Sequence, residues 1–465
     1  MKANAVLDYL KACRKKHLDT LIRYASFPSI SAQSSHAGDM RACSDWLRNH
    51  CESIGLSARL VETPGHPVVM ATTRRISRSG SAKDRPHFVL YGHYDVQPPE
   101  PLELWKSDPF KPTVRQGALF ARGASDNKGQ HLAHLNAIEA YLRTGTPLPC
   151  DVTFLIEGEE EVGSDHLPKV VRKHRRELAC DAMVISDTGM PSRECPALTY
   201  SLRGLAALEI HVQGPDRDLH SGLYGGAVNN PAMALAQVLA QVRDARGRIV
   251  IPGFYDGVRP LTAVERGHAR RLPHSPEAIR KMLGVPALFG EQGYTEYEQR
   301  TARPTFEING LTSGYQGEGS KTIIPSWASA KITMRLVPGQ NPAKIKEAAC
   351  RYLQSICPPS VRLTLKKGHD GEPYWVDPTG PTSAACLRAL EKAFGKPPVL
   401  LREGGSIPIV NTFSRELGVD VLLLGLALPD DNLHSPNEKF DLENYYRGSV
   451  LSAELWPELA ISTKG

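Results

Sequence analysis

Four nearly uninterrupted apolar runs, Phe88-Val89-Leu90-Tyr91, Val152-Thr153-Phe154-Leu155-Ile156, Ala182-Met183-Val184-Ile185 and Val421-Leu422-Leu423-Leu424, have the length and composition of strands buried on both faces. Each stops at polar side chains of the metal-binding kind. The first passes through Gly92 into His93 and Asp95, and the second opens into Glu157-Gly158-Glu159-Glu160-Glu161. The third ends at Ser186-Asp187, and the fourth leads through Pro429-Asp430-Asp431-Asn432-Leu433 to His434. Ligands of open α/β sheets bind outside the carboxyl ends of the strands. The four runs therefore read as neighbouring parallel strands that deliver these side chains to one rim.

Around them the pattern alternates between helical and extended periods. The N-terminal portion reads helix, strand, strand, helix, strand, and the helix after Asp126 carries Leu132, Leu135, Ile138 and Leu142 as one buried stripe. Near Thr199 the character changes. Leu205 to Val212 alternates as a half-buried strand, Asn229-Asn230-Pro231 opens a helix with a cap and a first-turn proline, and Ala328 to Val337 is extended. A helix from Pro342 to about Ile356 and a strand from Val361 to Leu365 follow, while 251–304 reads as an irregular, partly helical insertion to which the sequence assigns no role. After about Gly371 the α/β pattern resumes, with a helix from about Ser383 to Phe394. The expected fold is α/β: a mixed, mainly parallel sheet flanked by helices, built from 1–198 and 374–465 and interrupted by an inserted α+β domain over 199–373.

Composition agrees with two domains, since 465 residues exceed the roughly 250–300 at which single cores stop growing. The net charge of +6, from 56 basic and 50 acidic residues, is mild. Its densest basic run, Val171-Arg172-Lys173-His174-Arg175-Arg176, lies in a helical stretch and reads as a solvated face, as do Arg74, Arg75 and Arg78 in a Ser-rich loop. Neither set is interleaved with aromatics, so no nucleic-acid partner is expected. Nine cysteines without a C-x-x-C pair argue against a disulfide framework or structural zinc module and for a reducing compartment. The first ten residues mix charged and apolar positions unlike a signal peptide, and no stretch approaches the eighteen apolar residues of a membrane span. The expectation is a cytoplasmic protein with no membrane partner.

The residue types at the rim narrow the chemistry. His, Asp and Glu without Cys suit a divalent ion such as zinc or manganese, and a carboxylate can bridge two of them. Two ions about 3.5–4 Å apart activate a shared water while polarising a carbonyl. Asp95, two residues after His93 on the same side of an extended segment, is placed to orient the imidazole. Three adjacent glutamates repel one another in a single pocket, so Glu159, Glu160 and Glu161 are expected to divide into a ligand, a base and a bystander.

Seven ordered stretches resemble one family over nearly the whole length. They are Gly92-His93-Tyr94-Asp95-Val96-Gln97-Pro98, Arg122-Gly123-Ala124-Ser125-Asp126-Asn127-Lys128-Gly129, Glu157-Gly158-Glu159-Glu160-Glu161-Val162-Gly163-Ser164, Asp218-Leu219-His220-Ser221-Gly222, Arg335-Leu336-Val337-Pro338, Arg402-Glu403-Gly404-Gly405-Ser406-Ile407-Pro408 and His434-Ser435-Pro436-Asn437-Glu438. In these the chain is similar to the carnosinase-type dipeptidases of the aminoacylase and glutamate carboxypeptidase superfamily of dinuclear metallopeptidases. The resemblance implies two divalent ions, zinc first and manganese as the alternative, bridged by Asp126, with His93 and Asp187 completing one site and Glu161 and His434 the other. It implies Glu160 as general base, Asp95 as its catalytic companion behind His93, and a cis peptide between Asp126 and Asn127. His220, Thr322, Arg335 and Ser406 match substrate-holding positions, and the inserted domain matches a lid through which two chains dimerise, His220 crossing to the partner's active site. The implied activity is hydrolysis of dipeptides or short peptides with a free C-terminal carboxylate. An amidohydrolase that removes acyl groups from amino acids would use the same centre with a different pocket.

Overall fold

The computed structural model describes residues 2–73, 85–273, 275–405 and 407–463; Arg74, Arg75, Arg78 and Ser406 lie outside the described residues. Nine strands form the large sheet, in the order Ser57–Val61, Val68–Thr72, Asp151–Glu157, His87–His93, Ala182–Ile185, Asp420–Leu423, Ala197–Leu202 and Tyr374–Trp375, with Val399–Glu403 paired to Ala197–Leu202. The four strands expected from the apolar runs are adjacent and parallel. Pairing partners aimed to one end follow from the register. His93 faces Glu157, while Tyr91 faces Ile185, so that His93 and Asp187 each stand two residues past a shared rung. Leu423 also pairs with Ile185, which brings the loop toward His434 to the same rim. Antiparallel strands close the sheet on both sides, making it mixed.

Helices cover both faces. The helix Gly129–Thr144 departs from expectation: every residue from Gly129 to Tyr141 is buried, and Leu142 of the expected stripe is 41% exposed. Its neighbours explain this. Helices Lys2–Ala12, Arg14–Ala25 and Leu442–Ser462 and the His87–His93 strand all pack against it, so its polar face is enclosed too, and its polar side chains find partners inside. Asn136 donates to Tyr445 Oη at 2.9 Å and His134 Nε2 meets Ser186 Oγ at 2.8 Å. Leu442–Ser462 also lies along Pro381–Phe394, tying the two ends of the chain into one core around the fully buried Trp456.

A second sheet, Thr305–Ser313, Trp327–Leu336, Gly204–Gln213 and Arg362–Gly371 in that order, is antiparallel throughout. One face is apolar, and Leu208, Ile210, Ile332 and Met334 meet Leu235 and Leu353 from helices Pro231–Ala240 and Pro342–Ile356 in a core of its own. Asn230 caps the first of these helices by accepting the Ala232 amide at 2.9 Å, before a proline at the first turn. The last strand runs six residues beyond the expected Leu365, because its continuation, Lys366-Lys367-Gly368-His369-Asp370-Gly371, is an exposed polar edge without apolar alternation.

The 251–304 region contains three short helices, Ala263–Ala269, Pro276–Leu283 and Glu296–Thr301, and two of them start in reciprocal capping boxes, Thr262 with Glu265 and Thr295 with Glu298. It is pinned to the large sheet by a buried network. Arg402 donates to Tyr200 Oη at 2.7 Å and to Glu265 at 2.8 Å, and its amide donates to Tyr297 Oη at 2.7 Å. No helix among the described residues is long and apolar enough to cross a membrane.

Candidate metal centre

The parallel strands bring seven of the expected side chains together. Asp126 lies between two histidines: its Oδ1 accepts from His93 Nε2 at 3.1 Å and its Oδ2 from His434 Nε2 at 2.9 Å. Each histidine has a second carboxylate beside it, Asp187 at 3.6 Å from His93 and Glu161 at 3.4 Å from His434. The side chains of His93, Asp126, Glu161 and Asp187 are at most 14% exposed, whereas His434 is 54% exposed, so the cluster opens to solvent on the His434 side.

The three adjacent glutamates separate. Glu159 turns away and binds His166 Nδ1 at 2.9 Å, Glu161 faces His434 and accepts from Gln97 Nε2 at 2.9 Å, and Glu160 lies half-buried within the fields of His93, Asp187 and Asp126. Asp95 acts on two fronts. Its backbone oxygen is 3.0 Å from His93 Nδ1 and its Oδ1 3.4 Å, while the carboxylate accepts the amides of Glu160 and Glu161 at 3.3 and 3.1 Å. The imidazole is thus oriented more closely by the carbonyl than by the carboxylate, which instead holds the glutamate turn. The Asp126–Asn127 peptide is cis.

Electrostatics describe a site short of positive charge. Burial pushes Glu160 up to about 9 against the pull of His93, with Asp187 and Glu161 adding to the rise. Glu161 is raised to about 8 by burial and by Asp126, and Asp187 is raised by burial. Burial opposes the His93 imidazolium, yet Asp187, Asp126 and Asp95 lift it well above its ordinary value. The hydrogen bond to Asp126 raises His434 to about 9. Asp126 alone is lowered, because the hydrogen bonds from His434 and His93 outweigh its burial. The cluster therefore favours added cationic charge. A donor set of imidazole and carboxylate without thiolate, with ligand atoms of His93, Asp126 and Glu161 within 4.8 Å of one another, fits a divalent cation.

A family model for the peptidase family M20/M25/M40 matches residues 89–458, which spans all of these side chains. The chain belongs to that peptidase family. It is a metallopeptidase, and its relatives agree in length as well as sequence. It is 32% identical over 459 residues to the Cys-Gly metallodipeptidase of Candida albicans, covering 95% of this chain and 94% of the relative. It is 31% identical over 435 residues to the Beta-Ala-His dipeptidase of Rattus norvegicus, covering 90% and 87%. The solved M20 family metallo-carboxypeptidase of Sulfolobus solfataricus superimposes with a TM-score of 0.80 at 32% identity, over 96% of this chain and 99% of that one.

Several side chains of this metallopeptidase's site escape sequence reasoning. Glu438 is fully buried and accepts from Arg122 at 2.7 Å and from the amides of Gly123, Ser125 and Asp126 at 2.9, 3.0 and 3.1 Å, so it holds the loop that presents Asp126. Asn127 donates to Asp187 at 2.8 Å, and its Oδ1 is 3.0 Å from His131 Nδ1, which fixes a ligand-type carboxylate from behind. The only signal for them was position within the stretches quoted above. Of the substrate-holding candidates, Arg335 lines a 460 Å³ cavity with Arg203, Arg300 and Arg303. His220 and Thr322 are exposed neighbours on the short ladder of Leu219–His220 with Ile323–Ile324, and among the described residues no hydrogen bond joins either side chain to the metal centre.

A ligand group whose pKa lies above the solution pH must shed its proton to bind a cation, so binding strengthens as pH rises toward those values. At pH 7 this applies to His93, Glu161 and His434. Titrating a divalent ion into metal-free protein should release roughly two or more protons, measured from the dependence of calorimetric heat on buffer ionisation, and affinity should rise from pH 7 toward 9. Proton-neutral, pH-independent binding would contradict the electrostatic account.

Proposed function

We propose that the chain hydrolyses dipeptides or short peptides with a free C-terminal carboxylate at a dinuclear centre. The observation that carries this is Asp126 shared between two histidine-plus-carboxylate pairs, with a further half-buried glutamate, Glu160, alongside. The relatives named above, which are a Cys-Gly and a Beta-Ala-His dipeptidase, support the substrate class. His93 and Asp187 would hold one ion and His434 and Glu161 the other, with Asp126 common to both; zinc is the first choice and manganese the alternative. Such ions supply Lewis acidity toward a carbonyl and lower the pKa of water to about 7.

The chain's own groups account for the proton movements. Glu160 takes a proton from the attacking water as the O–C bond forms and delivers it to the leaving amine as the C–N bond breaks, a role that contributes typically about 10² to 10⁴ in rate. Asp95 holds the Glu160 and Glu161 amides and so fixes the base against the ligand. Arg335 receives the substrate carboxylate, for which a planar guanidinium is suited, with Thr322 and Ser406 as further polar contacts. Residues 199–373 serve as a lid and dimerisation domain, and His220 of the partner subunit stabilises the oxyanion. Nine free cysteines suit a reducing cytoplasm.

Glu160→Gln should keep both ions and lose turnover by about 10² or more, whereas Glu161→Gln should weaken metal binding. Metal content and kcat on a panel of dipeptides and N-acyl amino acids separate these outcomes. Swapped phenotypes would move the base by one residue, and release of acyl groups in preference to amino acids would replace the dipeptidase with a deacylase.

Exchange between chains is tested by mixing. His220→Ala and Glu160→Gln chains, each nearly inactive alone, should recover roughly a quarter of wild-type activity when co-refolded, because half the dimers are mixed and each has one complete site. Mixed dimers with no activity above the parents would exclude a histidine acting across the interface.

A further inference from the structure

The 251–304 region, silent in the sequence, supplies one wall of the cavity beside the metal centre. That cavity, 760 Å³, opens at Asp187; Met190 and Leu433 line it from the large-sheet side, and Leu272, Ile279, Met282 and Leu283 line it from the insertion. The helix Pro276–Leu283 explains the arrangement. Ser275 caps it by accepting the Ala278 amide at 3.2 Å, and Gly284 ends it in the left-handed conformation, which leaves Ile279, Met282 and Leu283 on one face at i, i+3 and i+4. Ile279 packs inward at 5% exposure, but Met282 and Leu283 are 67% and 57% exposed. Two large apolar side chains thus stand bare on the wall of a cavity that reaches the hydrolytic centre.

Next to it lies a cavity lined by five arginines and three glutamates, so positive charge is in excess there. Leu283, Glu296 and Arg300 also border the cavity that contains Arg203 and Arg335. The two cavities thus share an edge at Leu283 and Arg300, where the apolar face meets a guanidinium. The scissile carbonyl and the carboxylate of a dipeptide are one residue apart, so with the carbonyl at Asp187 and the carboxylate turned toward Arg300 the C-terminal side chain would face the wall that Met282 and Leu283 line.

We propose that Met282 and Leu283, together with Leu272 and Met190, form a subsite for a large apolar C-terminal side chain, so that dipeptides ending in Leu, Met or Phe are preferred to those ending in Gly. This rests on the dipeptidase function proposed above. A hydrophobic pocket discriminates by about 10–200-fold for a single methylene, and the flexible thioether of Met282 adapts to several apolar shapes. The preference would set this chain apart from a relative named for Cys-Gly.

The experiment measures kcat/KM for Ala-Leu and Ala-Gly on the metal-loaded enzyme. Wild type should favour Ala-Leu by about tenfold or more. Met282→Asp combined with Leu283→Asp, at exposed positions where folding does not depend on the side chains, should lower the Ala-Leu to Ala-Gly ratio by about tenfold or more, while Met282→Leu should keep it. A ratio that stays within about twofold of wild type in the double aspartate variant, or a wild type that favours Ala-Gly, overturns the subsite while leaving the dipeptidase intact. An enzyme that releases no amino acid from either dipeptide overturns the dipeptidase function and the subsite with it.

Discussion

Everything at this rim depends on the cost of packing carboxylates into a partly enclosed space with little positive charge. Asp126, Glu160, Glu161 and Asp187 share a partly enclosed volume with two imidazoles to offset them, which pushes Glu160 and Glu161 up and raises both histidines. A buried charge persists only when paired or bound to a metal. The fold commits rigid structure to keeping this crowd together. Glu438 gathers three amides and Arg122 behind Asp126, Asp95 gathers the amides of Glu160 and Glu161, and Asn127 holds Asp187. Positions built this way cannot relax apart to relieve the repulsion, and a divalent cation is the natural counter-charge.

Legibility in the sequence followed the range of the interactions. The four parallel strands were plain because burial on both faces leaves a local signature of consecutive apolar residues, and strand ends then located His93, Asp187, His434 and the run Glu159-Glu160-Glu161, within which resemblance chose Glu161 as the ligand. Asp126 stands on no such strand end, and its bridging role entered only through resemblance. Glu438 and Arg122 were invisible as partners because they meet across a separation of 316 residues. The Gly129–Thr144 helix misled for a related reason: its leucine spacing describes one buried face, whereas packed helices and a strand enclose every side from Gly129 to Tyr141. The Arg362–Gly371 strand was cut short by a polar edge that carries no alternation.

The 251–304 insertion shows what weak periodicity conceals. Its helices are short, so no long amphipathic stripe advertises them, but capping boxes and the Arg402 network hold them firmly beside the cavity at Asp187. The candidate metal centre lies mainly at the strand ends, where geometry must be exact to fractions of an ångström. Selectivity can reside on the insertion, where an exposed apolar face can change without disturbing the centre.

The central claim is that Asp126 serves two cations at once. Anomalous diffraction from crystals grown with zinc, recorded on both sides of its absorption edge, tests it most directly. The account predicts two peaks about 3.5–4 Å apart, one against His93 and Asp187 and one against His434 and Glu161, with Asp126 touching both. A single peak held by His93, Asp126 and Glu161 alone would contradict it.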